Sequence, residues 1–202
     1  MIAEAVHKLR QRLDLPVDSS RRGPVPLNRF FENMTSPRVA HFARPDISRR
    51  TVAEHLRSHG LAVGDLGESD DPLVGFLFLA GNAAWAYVCN DENNRLGRQR
   101  FTAAHELGHA VLHRDRMRDF VEDAAVSEGD DTADPMEAEA NRFAAELLMP
   151  EEVIRARADE LKRELRMSIC PRGVLEYRLA AELLVSGQAI RYRLSTLGVG
   201  DD

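Results

Sequence analysis

His105, Glu106 and His109 stand in the order His-Glu-x-x-His. If residues 99–113 form a helix, side chains four apart share one face, with β-carbons about 5–6 Å apart. Two imidazoles so placed can hold one metal ion. Glu106 points about 100° further round the helix, within reach of a water on that ion. The ion lowers the pKa of its water to about 7, and a neighbouring carboxylate takes the proton. The chemistry expected is metal-assisted hydrolysis with Glu106 as the base.

The helical wheel adds to this short pattern. At about 100° per residue, with His105 at zero, Thr102, His105, Glu106, His109 and His113 fall within one arc of roughly 100°. The other directions carry Phe101, Ala103, Ala104, Leu107, Ala110, Val111 and Leu112. A surface helix turns a polar half to water, whereas this one has a narrow polar stripe on an otherwise apolar body. Buried imidazoles and carboxylates need partners, and a metal ion supplies one.

A zinc-type site takes a third protein ligand. Residues 134–149 read as a helix that offers Glu137 and Glu139. Its apolar stripe is Ala140, Phe143, Ala144, Leu147 and Leu148. Glu137 lies about 50° from the centre of that stripe and Glu139 about 110° away, with Arg142 and Glu146 on the solvent side. Glu137 is therefore expected as the third ligand. Asn141, one turn later, is expected to orient a ligand histidine. Two histidines and a carboxylate suit Zn2+ best, and Mn2+ or Fe2+ would accept the same ligands. An oxyanion-stabilising or substrate-contacting group is also expected, for which His113, Tyr87 and Tyr177 are the candidates.

The elements that must position these groups are marked by local signals. Residues 1–13 read as an amphipathic helix, and residues 16–26 as a linker rich in Pro, Ser, Arg and Gly. Ser48 can cap a helix that Gly60 stops. Residues 74–79 and 85–88 read as strands joined by a turn at Gly81 and Asn82. Asp134 and Pro135 open the Glu137 helix, and Pro150 ends it and starts the next. Pro171 begins a final helical pair, residues 172–184 and 187–197. The expected division is 1–60, an N-terminal helical region; 61–166, a metallopeptidase core; and 167–202, a C-terminal segment resembling a helix-turn-helix.

The bulk numbers exclude several classes. The 202 residues are 44% hydrophobic, which is enough to build a core. The longest apolar run, near residues 73–88, is broken by Gly75, Gly81 and Asn82 and is too short to span a membrane. No secretory signal is read at the N-terminus. Two cysteines make neither a disulfide framework nor a metal pair, so a reducing, cytoplasmic location is expected. Net charge is +5 over residues 1–60, −11 over 61–150 and zero over 151–202. The acidic middle would repel phosphates, and the neutral C-terminal segment lacks a basic recognition face, so direct DNA binding is not expected. The acidic stretch 122–134 is a candidate lid or regulatory patch.

Two long blocks carry a family resemblance. Arg100 to His113, centred on His105-Glu106-Leu107-Gly108-His109, is similar to the active helix of the ImmA/IrrE metallopeptidases. So is Glu137 to Pro150, with Asn141 and Phe143 inside it. The resemblance is strong over residues 74–150 and weaker over 179–194, and residues 1–60 do not clearly match. It implies a small zincin-like α+β fold, with a small antiparallel sheet beside the active-site helix. It also implies a regulatory endopeptidase that cuts a helix-turn-helix transcriptional repressor of mobile-element or stress genes. At the positions that match, His105, His109 and Glu137 would bind the metal and Glu106 would be the catalytic base. In zincins an extended substrate pairs along a sheet edge, and strand 85–88 is the expected edge here. The rival reading is a DNA- or protein-binding regulator with a vestigial protease centre. A non-proteolytic metal hydrolase is a third.

Overall fold

The computed structural model describes every residue except 21, 65, 118, 119, 124–127, 129–131, 167–169, 201 and 202, and only the backbone of 123. The described elements are, in order, α1 (Ile2–Arg12), α2 (Leu27–Asn33), β1 (Arg38–Arg44), α3 (Arg49–Ser58), β2 (Gly75–Ala80), β3 (Ala83–Cys89), α4 (Leu96–Leu112), β4 (Phe120–Asp123), α5 (Pro135–Leu148), α6 (Glu151–Glu164), α7 (Arg172–Leu183) and α8 (Gly187–Leu197). The fold is α+β. Among the described residues, no helix is long and apolar enough to cross a membrane.

The strands form one sheet in the order β1-β3-β2-β4. β2 pairs antiparallel with both β3 and β4, but β1 pairs parallel with β3, Arg38 to Ala83 through Arg44 to Cys89. The sheet is therefore mixed, which corrects the antiparallel expectation. The chain leaves β1 through α3 and β2 before it returns in β3, and that crossover sets the parallel pairing. The same order places β3 inside the sheet, so it is not the edge strand expected from its position just before the active helix. Among the described strands, the edges are β1 and β4.

The period of two along a strand sorts β3 between two cores. Ala84, Ala86 and Val88, with Leu77 of β2, pack on the same side as Phe101, Ala104 and Leu107 of α4. Trp85, Tyr87 and Cys89, with Phe76 and Phe78, pack on the other side against Val52, Ala53 and Leu56 of α3. The small β3 side chains Ala84 and Ala86 let α4 lie close to the sheet. Behind α4 lies α5, which joins the same core through Phe143, Ala144, Leu147 and Leu148.

Capping fixes where these helices begin. Ser48 and Thr51 form a reciprocal capping box at α3. The Met136 amide donates to Asp134 Oδ1 at 2.8 Å at the start of α5, just where Glu137 must be placed. The far end of α5 is held by both ends of the chain. Buried Arg10 of α1 donates to the Leu147 carbonyl at 2.7 Å, and buried Arg193 of α8 donates to the Met149 carbonyl at 2.9 Å. Helix C-terminal carbonyls lack intrahelical partners and favour cations. Charged hydrogen bonds of this kind contribute about 1.5–3 kcal/mol each. Arg193 also pairs with Glu146 at 2.5 Å, so Glu146 is not the solvent-facing residue its wheel position suggests.

Most of the acidic stretch 122–134 lies outside the described residues. Of its members that are described, Glu122 pairs with Arg49 of α3 at 2.5 Å. Glu128 is buried and accepts the hydroxyl of Ser186, the residue that caps α8.

Candidate active site

The polar stripe of α4 faces inward along its whole length. Thr102, His105, Glu106, His109 and His113 are all at most 1% exposed. What lets α5 reach them is Gly108. A β-carbon there would lie 3.1–3.2 Å from Phe143, tighter than ordinary contact. Glycine between the two histidines thus sets the close approach of the helices. From that approach Glu137, in the first turn of α5, arrives beside the imidazoles.

Glu137 Oε2 is 3.2 Å from His105 Nε2, and its Oε1 is 3.3 Å from His109 Nε2. The two Nε2 atoms are 2.9 Å apart. Among the described residues, His105, His109 and Glu137 offer ligand atoms that all lie within 4.8 Å of one another, a group that could hold a metal ion. Burial alone would raise the pKa of Glu137, but the His105 and His109 imidazoles facing it outweigh that and hold it well below the usual carboxylate range. The carboxylate is anionic at neutral pH.

Each imidazole is gripped from behind. His105 Nδ1 donates to Asn141 Oδ1 at 2.8 Å. An acceptor at Nδ1 fixes the proton there and turns the Nε2 lone pair toward Glu137. His109 Nδ1 is 2.9 Å from His113 Nδ1, and His113 Nε2 donates to Glu139 Oε2 at 2.9 Å. Arg116 meets the same oxygen at 2.7 Å. The Arg116 guanidinium, then His113, hold Glu139 below the usual carboxylate range. The His105 lone pair, His109 Nε2 and a carboxylate therefore converge on one point. Acceptors gathered so closely repel unless a cation lies among them, and the donor set fits a divalent ion.

Glu106 is buried and lies against β2. A β-carbon on Gly75 would sit 2.2 Å from Glu106 Oε1 and 2.9 Å from the Thr102 methyl. Only glycine leaves room there for the carboxylate. Gly75 is opposite Asp123, so the end of edge strand β4 lies beside Glu106.

The sequence pattern of the Peptidase M78 family, the IrrE N-terminal-like domain, matches residues 74–195. The chain belongs to this family. Peptidase M78 membership makes the group on α4 and α5 the candidate centre of a metallopeptidase, and it implies a metal ion. A stretch of 68 residues is 35% identical to "Uncharacterized immunity region protein 2" of Bacillus phage phi105. That match covers 34% of this chain and 40% of the phage protein. The family pattern begins at Val74, so α1, α2, β1 and α3 precede it.

Of the three candidates for substrate or oxyanion contact, Tyr87 and Tyr177 are not brought to this Peptidase M78 site. Tyr87 is buried on the α3 face of the sheet, where its hydroxyl meets His55 Nδ1 at 2.8 Å. Burial raises its pKa. The alternation along β3, with Ala86 turned to α4, forces Tyr87 the other way. Tyr177 is 76% exposed on α7, beside Leu184 and Gly97 in the first turn of α4. Eight residues of helix, about 12 Å, separate that turn from His105. His113 is at the site but behind His109, fully buried, and cannot meet a substrate there. The residues that sequence reasoning missed are Gly75, Gly108 and Glu139. The four-residue spacing of His109 and His113 is a signal from which their contact could have been read. Glu139 gave no such signal, because its wheel position points to solvent and only the packing of α5 on α4 shows its partner.

Proposed function

We propose that the protein is a zincin-like, zinc-dependent endopeptidase that regulates transcription by cutting a helix-turn-helix repressor. The observation that carries this is the convergence of His105, His109 and Glu137 beside buried Glu106 in a Peptidase M78 member. His105, His109 and Glu137 would hold the ion, with Zn2+ favoured over Mn2+ or Fe2+ by the two imidazoles and one carboxylate. When bound, the ion supplies a Lewis acid that acidifies water and polarises a peptide carbonyl. Glu106 takes the proton from the attacking water and returns it to the leaving amine. Asn141 orients His105. The seat of Glu106 against Gly75 fixes the direction in which its carboxylate acts.

An extended substrate would pair with the outer side of β4, because β4 is, among the described strands, the edge strand whose end lies beside Glu106. The seat of Glu106 gives a prediction of its own. Gly75→Ala must push the carboxylate aside, and a misplacement of about 1 Å can cost roughly 10²-fold in rate. The variant should retain its metal and lose kcat by about that factor. A kcat unchanged from the parent would show that Gly75 does not set the position of Glu106.

The phage relative's name places it in an immunity region, which supports a repressor-associated role. The rival reading, a DNA-binding regulator with a vestigial centre, needs a basic face on the last helices. Arg193 is buried against Met149 and Glu146, and Arg191 pairs with Glu176 at 3.4 Å. The turn before α8 is also held, since Arg100 of α4 donates to the Leu184 carbonyl at 3.2 Å. The test is co-expression with a helix-turn-helix repressor encoded beside the gene, read by mass spectrometry. One defined cut is expected, absent with Glu106→Gln. A repressor that stays whole in both would remove it as the substrate.

A further inference from the structure

The polar stripe of α4 runs one turn past the His-Glu-x-x-His motif, and the function proposed above does not use its last member. His113 is fully buried, yet it makes two polar contacts with opposite partners. On one side is His109 Nδ1, at 2.9 Å from His113 Nδ1. On the other is Glu139 Oε2, at 2.9 Å from His113 Nε2. We propose that His113 and Glu139 are positioning residues for the metal site, a chain of hydrogen bonds that fixes the tautomer and ring orientation of His109.

With His113 neutral, its hydrogen-bond partners leave one arrangement of protons. Glu139 also receives Arg116 at 2.7 Å, so it is an ionised acceptor with no proton of its own to give. The nitrogen facing it, His113 Nε2, must then be the donor. A neutral imidazole with its proton on Nε2 has a lone pair on Nδ1. That lone pair faces His109 Nδ1, which must therefore carry the proton. His109 is left with its lone pair on Nε2, the atom that lies 3.3 Å from Glu137 and 2.9 Å from His105 Nε2. The carboxylate of Glu139 sets the far end of the chain, and His109 presents a ligand atom at the near end. His105 is governed separately, through Asn141. The two imidazoles thus have different supports. That of His105 comes from α5 directly. That of His109 comes from its own helix and reaches α5 only through His113.

The inference rests on the metal site proposed above, and the test separates the two. The probe is zinc alone, with affinity measured by competition against a chromogenic chelator for the full-length protein. His113→Phe keeps a ring in the buried space and removes the acceptor. Loss of an outer hydrogen-bond partner typically weakens metal binding by about 10–100-fold, and that fall is expected. His113→Asn places an amide oxygen near the old Nδ1, and affinity should return to within about threefold of the parent. Glu139 is partly exposed, so its variants do not depend on repacking the core. Glu139→Ala should weaken zinc by several-fold, whereas Glu139→Gln, which keeps an acceptor, should not. Equal zinc affinity in His113→Phe and the parent would overturn the proposal and leave the metal site standing. Equal weakening by Phe and Asn would overturn it too, since only filling of space would then matter. A parent protein that binds no zinc would overturn both.

Discussion

Glu106→Gln should keep its metal and lose peptide cleavage by about 10³-fold, inside the 10²–10⁴ range that a positioned general base contributes. Glutamine has almost the same shape, so it fits the recess that Gly75 leaves open. Its amide cannot take a proton from water. The three proposed ligand side chains are untouched, because Glu106 is a neighbour of His105 on α4 and is not one of the converging donors. Cleavage rate and metal content must be measured on the same preparation. Loss of rate with metal retained assigns proton transfer to Glu106. Cleavage within about tenfold of the parent would place the base elsewhere.

His109→Ala should lose activity by losing the metal. It removes the nitrogen between His105 Nε2 and Glu137 Oε1, and it also cuts the link to His113. Removing only an outer partner costs about 10–100-fold in affinity, and removing a ligand itself costs more. At micromolar chelator the variant should carry almost no ion. The protein should stay folded, because the core of Phe101, Leu107, Phe143 and Leu147 does not depend on this imidazole. The buried groups left without a partner would lower stability by about 1–3 kcal/mol. Elemental analysis and thermal unfolding on one sample check both halves. A His109→Ala protein with the parent's metal content would exclude the ligand set. The two variants therefore lose cleavage by opposite routes, one with the ion in place and one without it.

The site was legible in the sequence to the extent that it lies on helices with local start signals. His105, Glu106 and His109 share one face by spacing, and the inward direction of Glu137 followed from the apolar stripe of its own helix. Asp134 and Pro135 placed the start of α5 because capping is local chemistry. The strands at the sheet edges were not legible. Arg38–Arg44 alternates weakly and carries charge at both ends, and it is a strand because it pairs with β3, more than forty residues later. Phe120–Asp123 is four residues long and depends on β2 in the same way. Tyr87 was misplaced for a related reason. Its alternation with Ala86 could be read, but which face α4 covers is a tertiary fact. Glu139 and Glu146 show the limit of the helical wheel. Both lie off the apolar stripe of α5, and both find partners on neighbouring helices, His113 and Arg193.

In the proposed function, His105, His109 and Glu137 hold one catalytic ion. Its most direct test is elemental analysis of the protein purified without added metal or chelator, beside His105→Ala prepared in the same way. About one divalent ion per chain is expected in the parent, zinc before manganese or iron, and almost none in the variant. A parent without stoichiometric metal, or a variant with as much as the parent, would contradict it.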